Sequence, residues 1–127
     1  MWKLMLLAGA GGFVGTCCRF LINRLFLVIY KAPFPMATFV INVLGCFIFG
    51  ILFGLLNRNG IVPPQWNALL VVGFCGGFTT FSTFSFESFT LGFNGALFIS
   101  IAYIALSIIA GLLAIWLALQ ITSPRPL

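Results

Sequence analysis

The chain of 127 residues contains no histidine and one acidic residue, Glu87. General acid–base catalysis and imidazole- or carboxylate-based metal centres have almost nothing to run on, and no P-loop, catalytic triad or metal-binding spacing is present. The chain is therefore read as a non-enzyme. Charged residues make up only 6% of the sequence, and the six basic ones, Lys3, Arg19, Arg24, Lys31, Arg58 and Arg125, are scattered singly. A nucleic-acid-binding face would cluster them, so the net charge of +5 does not indicate one. The four cysteines, Cys17, Cys18, Cys46 and Cys75, stand in apolar runs without metal-ligand partners and are read as small buried hydrophobes. No small-residue cleavage pattern follows the first apolar run, which is read as a retained span and not as a signal peptide.

What the chain has in abundance is apolar surface. It is 62% hydrophobic with a mean hydropathy of +1.23, the composition of an integral membrane protein. Turn and charge signals divide it into four expected spans forming one all-α domain over residues 1–127. The first covers about residues 4–26. Lys31, Pro33 and Pro35 end it, and a second follows over 36–56, close to the ~20 residues a crossing helix needs. Asn57-Arg58-Asn59-Gly60 and Pro63-Pro64 form the next loop, the third span starts near Gln65, and Leu91 to Gly95 is a turn. The fourth covers about 96–121, before a Ser-Pro-Arg-Pro tail expected to fray.

Within the first span, Gly11 and Gly15 are spaced as GxxxG, which lets another helix approach closely. Arg19 either faces the bundle interior or snorkels to an interface. In the second span, Thr38 and Asn42 are four residues apart on one helical face, placed to donate hydrogen bonds into the bundle. Ser100, Tyr103 and Ser107 give the fourth span an intermittently polar side.

The third span carries the most unusual stretch, Gly73-Phe-Cys-Gly-Gly-Phe-Thr-Thr-Phe-Ser-Thr-Phe-Ser-Phe-Glu87. Glycine weakens a helix, and the hydroxyls of Thr79, Thr80, Ser82, Thr83 and Ser85 compete for its backbone groups. The stretch predicts a helix break between Gly76 and Thr79. A side chain at Gly76 is expected to crowd the bend should that residue take a positive φ. Inside a bilayer such a break survives only where its freed N–H and C=O groups meet protein or a polar cavity, so it predicts an ion or solute site.

With four spans, Lys3, Arg58 and Arg125 share one side and Arg24 and Lys31 the other. That near balance gives the positive-inside rule little to act on, so insertion in both orientations and an antiparallel homodimer are expected.

These blocks resemble the small bacterial fluoride channels of the Fluc or CrcB family. The resemblance rests on residues 73–87, on Gly11-Gly-Phe-Val-Gly-Thr-Cys-Cys-Arg-Phe20 and on Thr38-Phe-Val-Ile-Asn-Val-Leu-Gly-Cys-Phe-Ile-Phe-Gly50, about a third of the chain. Thr16 and Ala37 depart from it mildly. The resemblance implies a dual-topology homodimer in the bacterial inner membrane, with two pores for passive, selective fluoride export that confers fluoride resistance. It implies a structural Na⁺ at the dimer interface, held by the backbone carbonyls of Gly76 and Thr79 from each chain. It makes Asn42 the pore asparagine and Phe81 and Phe84 the phenylalanines facing the ions, and it matches Tyr103 and Ser107 to polar positions of the last helix. Gly111 stands where some relatives carry serine. Donors fit a strongly hydrated anion: Asn42, Thr38, Thr80, Ser82, Tyr103 and Ser107 can replace water, and ring edges of Phe81 and Phe84 carry positive quadrupole. Arg19 and Glu87 receive no role. The competing readings are a small-multidrug-resistance-like proton antiporter, which needs a carboxylate that the first span lacks, and an accessory membrane subunit without transport of its own.

Overall fold

The computed structural model of the chain describes residues 1–58 and 60–122. Asn59 and the tail with Arg125 lie outside the described residues. Among the described residues every regular element is helical. Helix α1 is Trp2–Ile29, α2 is Met36–Leu56, α3 covers 64–78, α4 is Phe81–Phe93 and α5 is Leu97–Thr122. Four stretches are long and apolar enough to cross a membrane, with α3 and α4 together forming the third, Pro64–Phe93. The protein is a multi-pass membrane protein, and its many exposed large apolar side chains are what a lipid-facing surface requires.

The stops are local chemistry. Tyr30 leaves α1 in an extended conformation, while the Lys31 ammonium donates to the Leu27 carbonyl that the helix end leaves free. Pro64 opens α3 at its first turn, where its missing N–H costs nothing. The third loop is tighter than the sequence indicated. Leu91, Gly92 and Phe93 remain helical, and the turn is a Schellman cap in which Ala96 donates to Leu91 O at 2.9 Å and Gly95 takes φ +85°, which a side chain would disfavour.

Lipid gives helices no hydrophobic reason to associate, so small residues that permit close contact decide which faces meet. α1 packs on α3 and runs parallel to it, Gly11 meeting the backbone of Leu69 and Phe74 and Gly15 that of Phe74 and Phe78. The GxxxG motif of the sequence is this contact. α2 packs along α5, with Gly50 against Ala118 and Gly54 against Thr122. A Cβ at Gly50 would sit 2.6 Å from the Ala118 Cβ.

One feature of α3 had no sequence signal. Residues Asn67–Cys75 wind with a π-helical repeat. The wider turn brings Gly73 against Ala8 and Gly11, and Gly77 against Gly12, so these two glycines serve helix contact, not the break.

Candidate functional site

The helix breaks at Thr79 and Thr80, both extended, three residues later than the first glycine of the expected break. Gly76 itself is helical, with φ −64°, and a Cβ there would meet nothing within 4 Å. The expected crowding at Gly76 is thus corrected: nothing within the chain opposes a side chain at this exposed position.

Two side-chain substitutions for backbone hydrogen bonds make the break. In an unbroken α-helix the Thr80 N–H would bond to Gly76 O, and the Thr83 N–H to Thr79 O. Here the Thr80 N–H donates instead to Asn42 Oδ1 at 2.8 Å, and Asn42 Nδ2 donates back to Thr80 O at 3.1 Å. The Thr83 N–H donates to Thr80 Oγ1 at 3.3 Å, so Thr80 is the N-cap of α4. The diversions release one carbonyl of α3, that of Gly76, and that of Thr79 just beyond it. The oxygen of Gly76 loses its helical donor, and that of Thr79 meets only Arg19 Nη1, at 3.3 Å. Thr16 Oγ1 reaches Gly77 O at 3.4 Å. Arg19 accordingly reaches inward to the break instead of snorkelling.

The two half-helices meet with opposite polarity. The carboxyl end of α3 presents carbonyls suited to a cation, whereas the amino end of α4 presents N–H groups and a positive dipole end suited to an anion. Asn42, Thr79, Thr80 and Phe81 line one cavity of about 210 Å³ together with Cys46. Ser82 stands at its exposed edge, with Oγ 3.4 Å from Thr80 Oγ1.

A second polar cluster lies farther along α4. Thr38 Oγ1 donates to Glu87 Oε1 and Tyr103 OH to Glu87 Oε2, each at 2.9 Å. Thr38 and Tyr103 are fully buried, whereas Glu87 is half-buried and also borders a cavity with Asn23, Tyr30 and Thr83. The two hydroxyls are therefore directed at a carboxyl group, and Thr38 is separated in function from its helical neighbour Asn42. Aromatic rings connect the two clusters: Phe81 to Phe84 at 6.0 Å between centroids, Phe84 to Tyr103 at 5.2 Å, and Tyr103 to Phe34 at 5.3 Å. Phe81 is 78% exposed on the single chain. Ser107 stands apart, its Oγ buried without a hydrogen-bond partner, and Gly111, one turn on, lies against Cys46.

Sequence reasoning left two side chains without a role that the structure brings into the site, Arg19 and Glu87. Charge inside an apolar span marked them, but their partners lie 60 residues away for Arg19 and 49 and 16 for Glu87, beyond any local pattern. The cysteines divide. Cys75 is buried as expected, while Cys17 is exposed on α1.

The chain matches the family described as CrcB-like protein, Camphor Resistance (CrcB), over residues 6–119. It is 43% identical over 122 residues to a fluoride-specific ion channel FluC of Azobacteroides pseudotrichonymphae, covering 96% of this chain and 98% of that protein. It is 43% identical to the protein of the same name from Chlorobium luteolum, covering 94% and 92%, and 39% identical to one from Leptospira interrogans, covering 87% of each.

Proposed function

The chain belongs to the CrcB-like family, and from that premise together with the geometry of the break we infer that it is a fluoride-specific channel. The observation that carries the reading is the polarity of the break: an Asn42-clasped interruption of a membrane helix that offers N–H donors on one side and freed carbonyls on the other. A fluoride ion entering the bilayer must exchange water for donors that cost no reorganisation. The first-turn N–H groups of Phe81 and Ser82 and the ring edges of Phe81 and Phe84 supply them at the break, and the unpartnered Ser107 hydroxyl, apart from it on α5, is a further donor. None carries a fixed charge that would trap the ion. Thr38 and Tyr103 serve an anion only when Glu87 turns away, because its carboxyl holds both hydroxyls.

Transport of this kind is passive. A proton-coupled antiporter of the small-multidrug-resistance type needs a carboxylate in the first span, where this chain has none. Purified protein in liposomes is expected to release fluoride only when a potassium ionophore allows charge to balance, with no need for a proton gradient. Release that required a proton gradient would favour the antiporter, and no release at all would favour an accessory subunit.

Two copies are inferred to pack antiparallel, with two pores. The basic residues support this, three on one side and two on the other, and so does the exposed apolar face at Phe81, which a partner would cover. In a cysteine-free chain with one cysteine in the 57–60 loop, an impermeant reagent is expected to label about half of the molecules. Labelling of all or of none would contradict dual topology. In such a pair the Gly76 and Thr79 carbonyls of both copies would converge on the two-fold axis, and they fit a hard monovalent cation such as Na⁺ because the break has removed their helical hydrogen-bond donors, leaving Thr79 O only the Arg19 guanidinium. Bound there, the ion would act structurally, neutralising oxygens that lipid cannot serve.

A further inference from the structure

Two cysteines remain outside this account. Cys46 of α2 and Cys75 at the end of the π-wound segment line a common cavity of about 370 Å³, adjoining the break at Gly76 and Thr79. Its other walls are apolar, formed by Phe49, Val71, Val72 and Ile115. Cys75 is 4% exposed, both thiols are free, and among the described residues neither makes a hydrogen bond. Cys46 also lines the smaller cavity with Asn42, Thr80 and Phe81, so its sulfur borders the proposed ion path.

We propose that Cys46 and Cys75 form a two-thiolate site for a soft, linearly coordinating metal ion of the mercury(II) class, placed so that occupancy blocks the pore. The chemistry of the cavity selects the ion. No group of three or more metal-binding side chains exists among the described residues, which disfavours zinc and other ions that demand four ligands. Mercury(II) needs only two. Neutral HgCl₂ enters an apolar region, both thiols lose their protons, two Hg–S bonds replace two Hg–Cl bonds, and two H⁺ and two Cl⁻ leave to water. No electrons are transferred. The product, Hg(SR)₂, carries no net charge and so suits an apolar wall, where a lone thiolate would be costly. Zinc held by the same two sulfurs would keep open positions that this cavity cannot fill.

The test uses the full-length chain with Cys17→Ser and Cys18→Ser, which removes the two α1 thiols outside the cavity. Titration with HgCl₂, followed by counting free thiols, is expected to consume two thiols per mercury in each chain, and excess Zn²⁺ should leave the count unchanged. Consumption of one thiol per mercury overturns the site, and this readout does not depend on the protein being a channel. In liposomes, HgCl₂ should block fluoride release and a dithiol should restore it. Adding Cys75→Ser should lower the sensitivity to mercury at least about tenfold, because the second bond then loses its intramolecular advantage. Equal sensitivity with and without Cys75 would overturn the two-sulfur assignment even were Cys46 reactive.

Discussion

Asn42→Ala is expected to reduce fluoride flux by at least about tenfold and to remove any dependence of dimer assembly on Na⁺. The amide of Asn42 bonds both the N–H and the C=O of Thr80. Alanine leaves each without its partner in a water-poor setting, at roughly 1–3 kcal/mol per group. The chain has one way to recover part of that loss. The Thr80 N–H can return to Gly76 O four residues back, which extends α3, closes the break and withdraws a carbonyl from the axis. Asn42→Asp distinguishes this clasp from a simple donor role. Aspartate still accepts from the Thr80 N–H but has no donor for Thr80 O and adds a negative charge beside the anion path. It should therefore keep the break, and with it the response to Na⁺, while flux falls. Size-exclusion chromatography with and without Na⁺, beside liposome flux, reads both outcomes. Na⁺-independent assembly of the unsubstituted protein would remove the cation from the account and leave the clasp standing.

A valine at Gly15 is expected to abolish the folded protein, whereas alanine at Gly9 should be silent. An added Cβ at Gly15 would press on the Phe74 carbonyl oxygen and come within 2.8 Å of the Phe78 nitrogen, both rigid backbone atoms of α3. No rotamer relieves such a clash. α1 must move away, costing about 3 kcal/mol or more by the usual scale of overpacking and loosening the contact that carries Arg19 to the break. Gly9 lies on the same helix with nothing within 4 Å, so helix propensity alone acts there. The measurement is the yield of monodisperse protein after extraction, and equal yields for the two variants would show that α1 and α3 do not pack as described.

The sequence disclosed the spans because hydropathy over about twenty residues is a local quantity, and it disclosed the close helix contact because GxxxG is a local pattern. It also placed a break among residues 73–87, where glycine and hydroxyl side chains accumulate. Of the two causes it offered, hydroxyl competition holds at Thr80 and glycine does not. Gly73 and Gly77 proved to be contact surfaces and Gly76 an exposed helical residue, and the interruption lies at Thr79 and Thr80, where Asn42 and a threonine cap divert two N–H groups. That diversion depends on a side chain from another helix, 38 residues away, which no window along the third span contains. Likewise, Thr38 and Asn42 share a face, yet one turns to Glu87 and the other to Thr80. Face sharing fixes direction only. Partner identity came from how α4 and α5 dock against α2.

The most direct test of a fluoride-specific, passive pore is the reversal potential of purified protein in a planar bilayer. With fluoride graded across the membrane and chloride equal on both sides, the current should reverse at the fluoride equilibrium potential, moving about 59 mV for each tenfold change in the fluoride ratio. Replacing the cations or adding a proton gradient should not move it. A reversal potential that follows chloride, or that shifts with the proton gradient, would contradict the account.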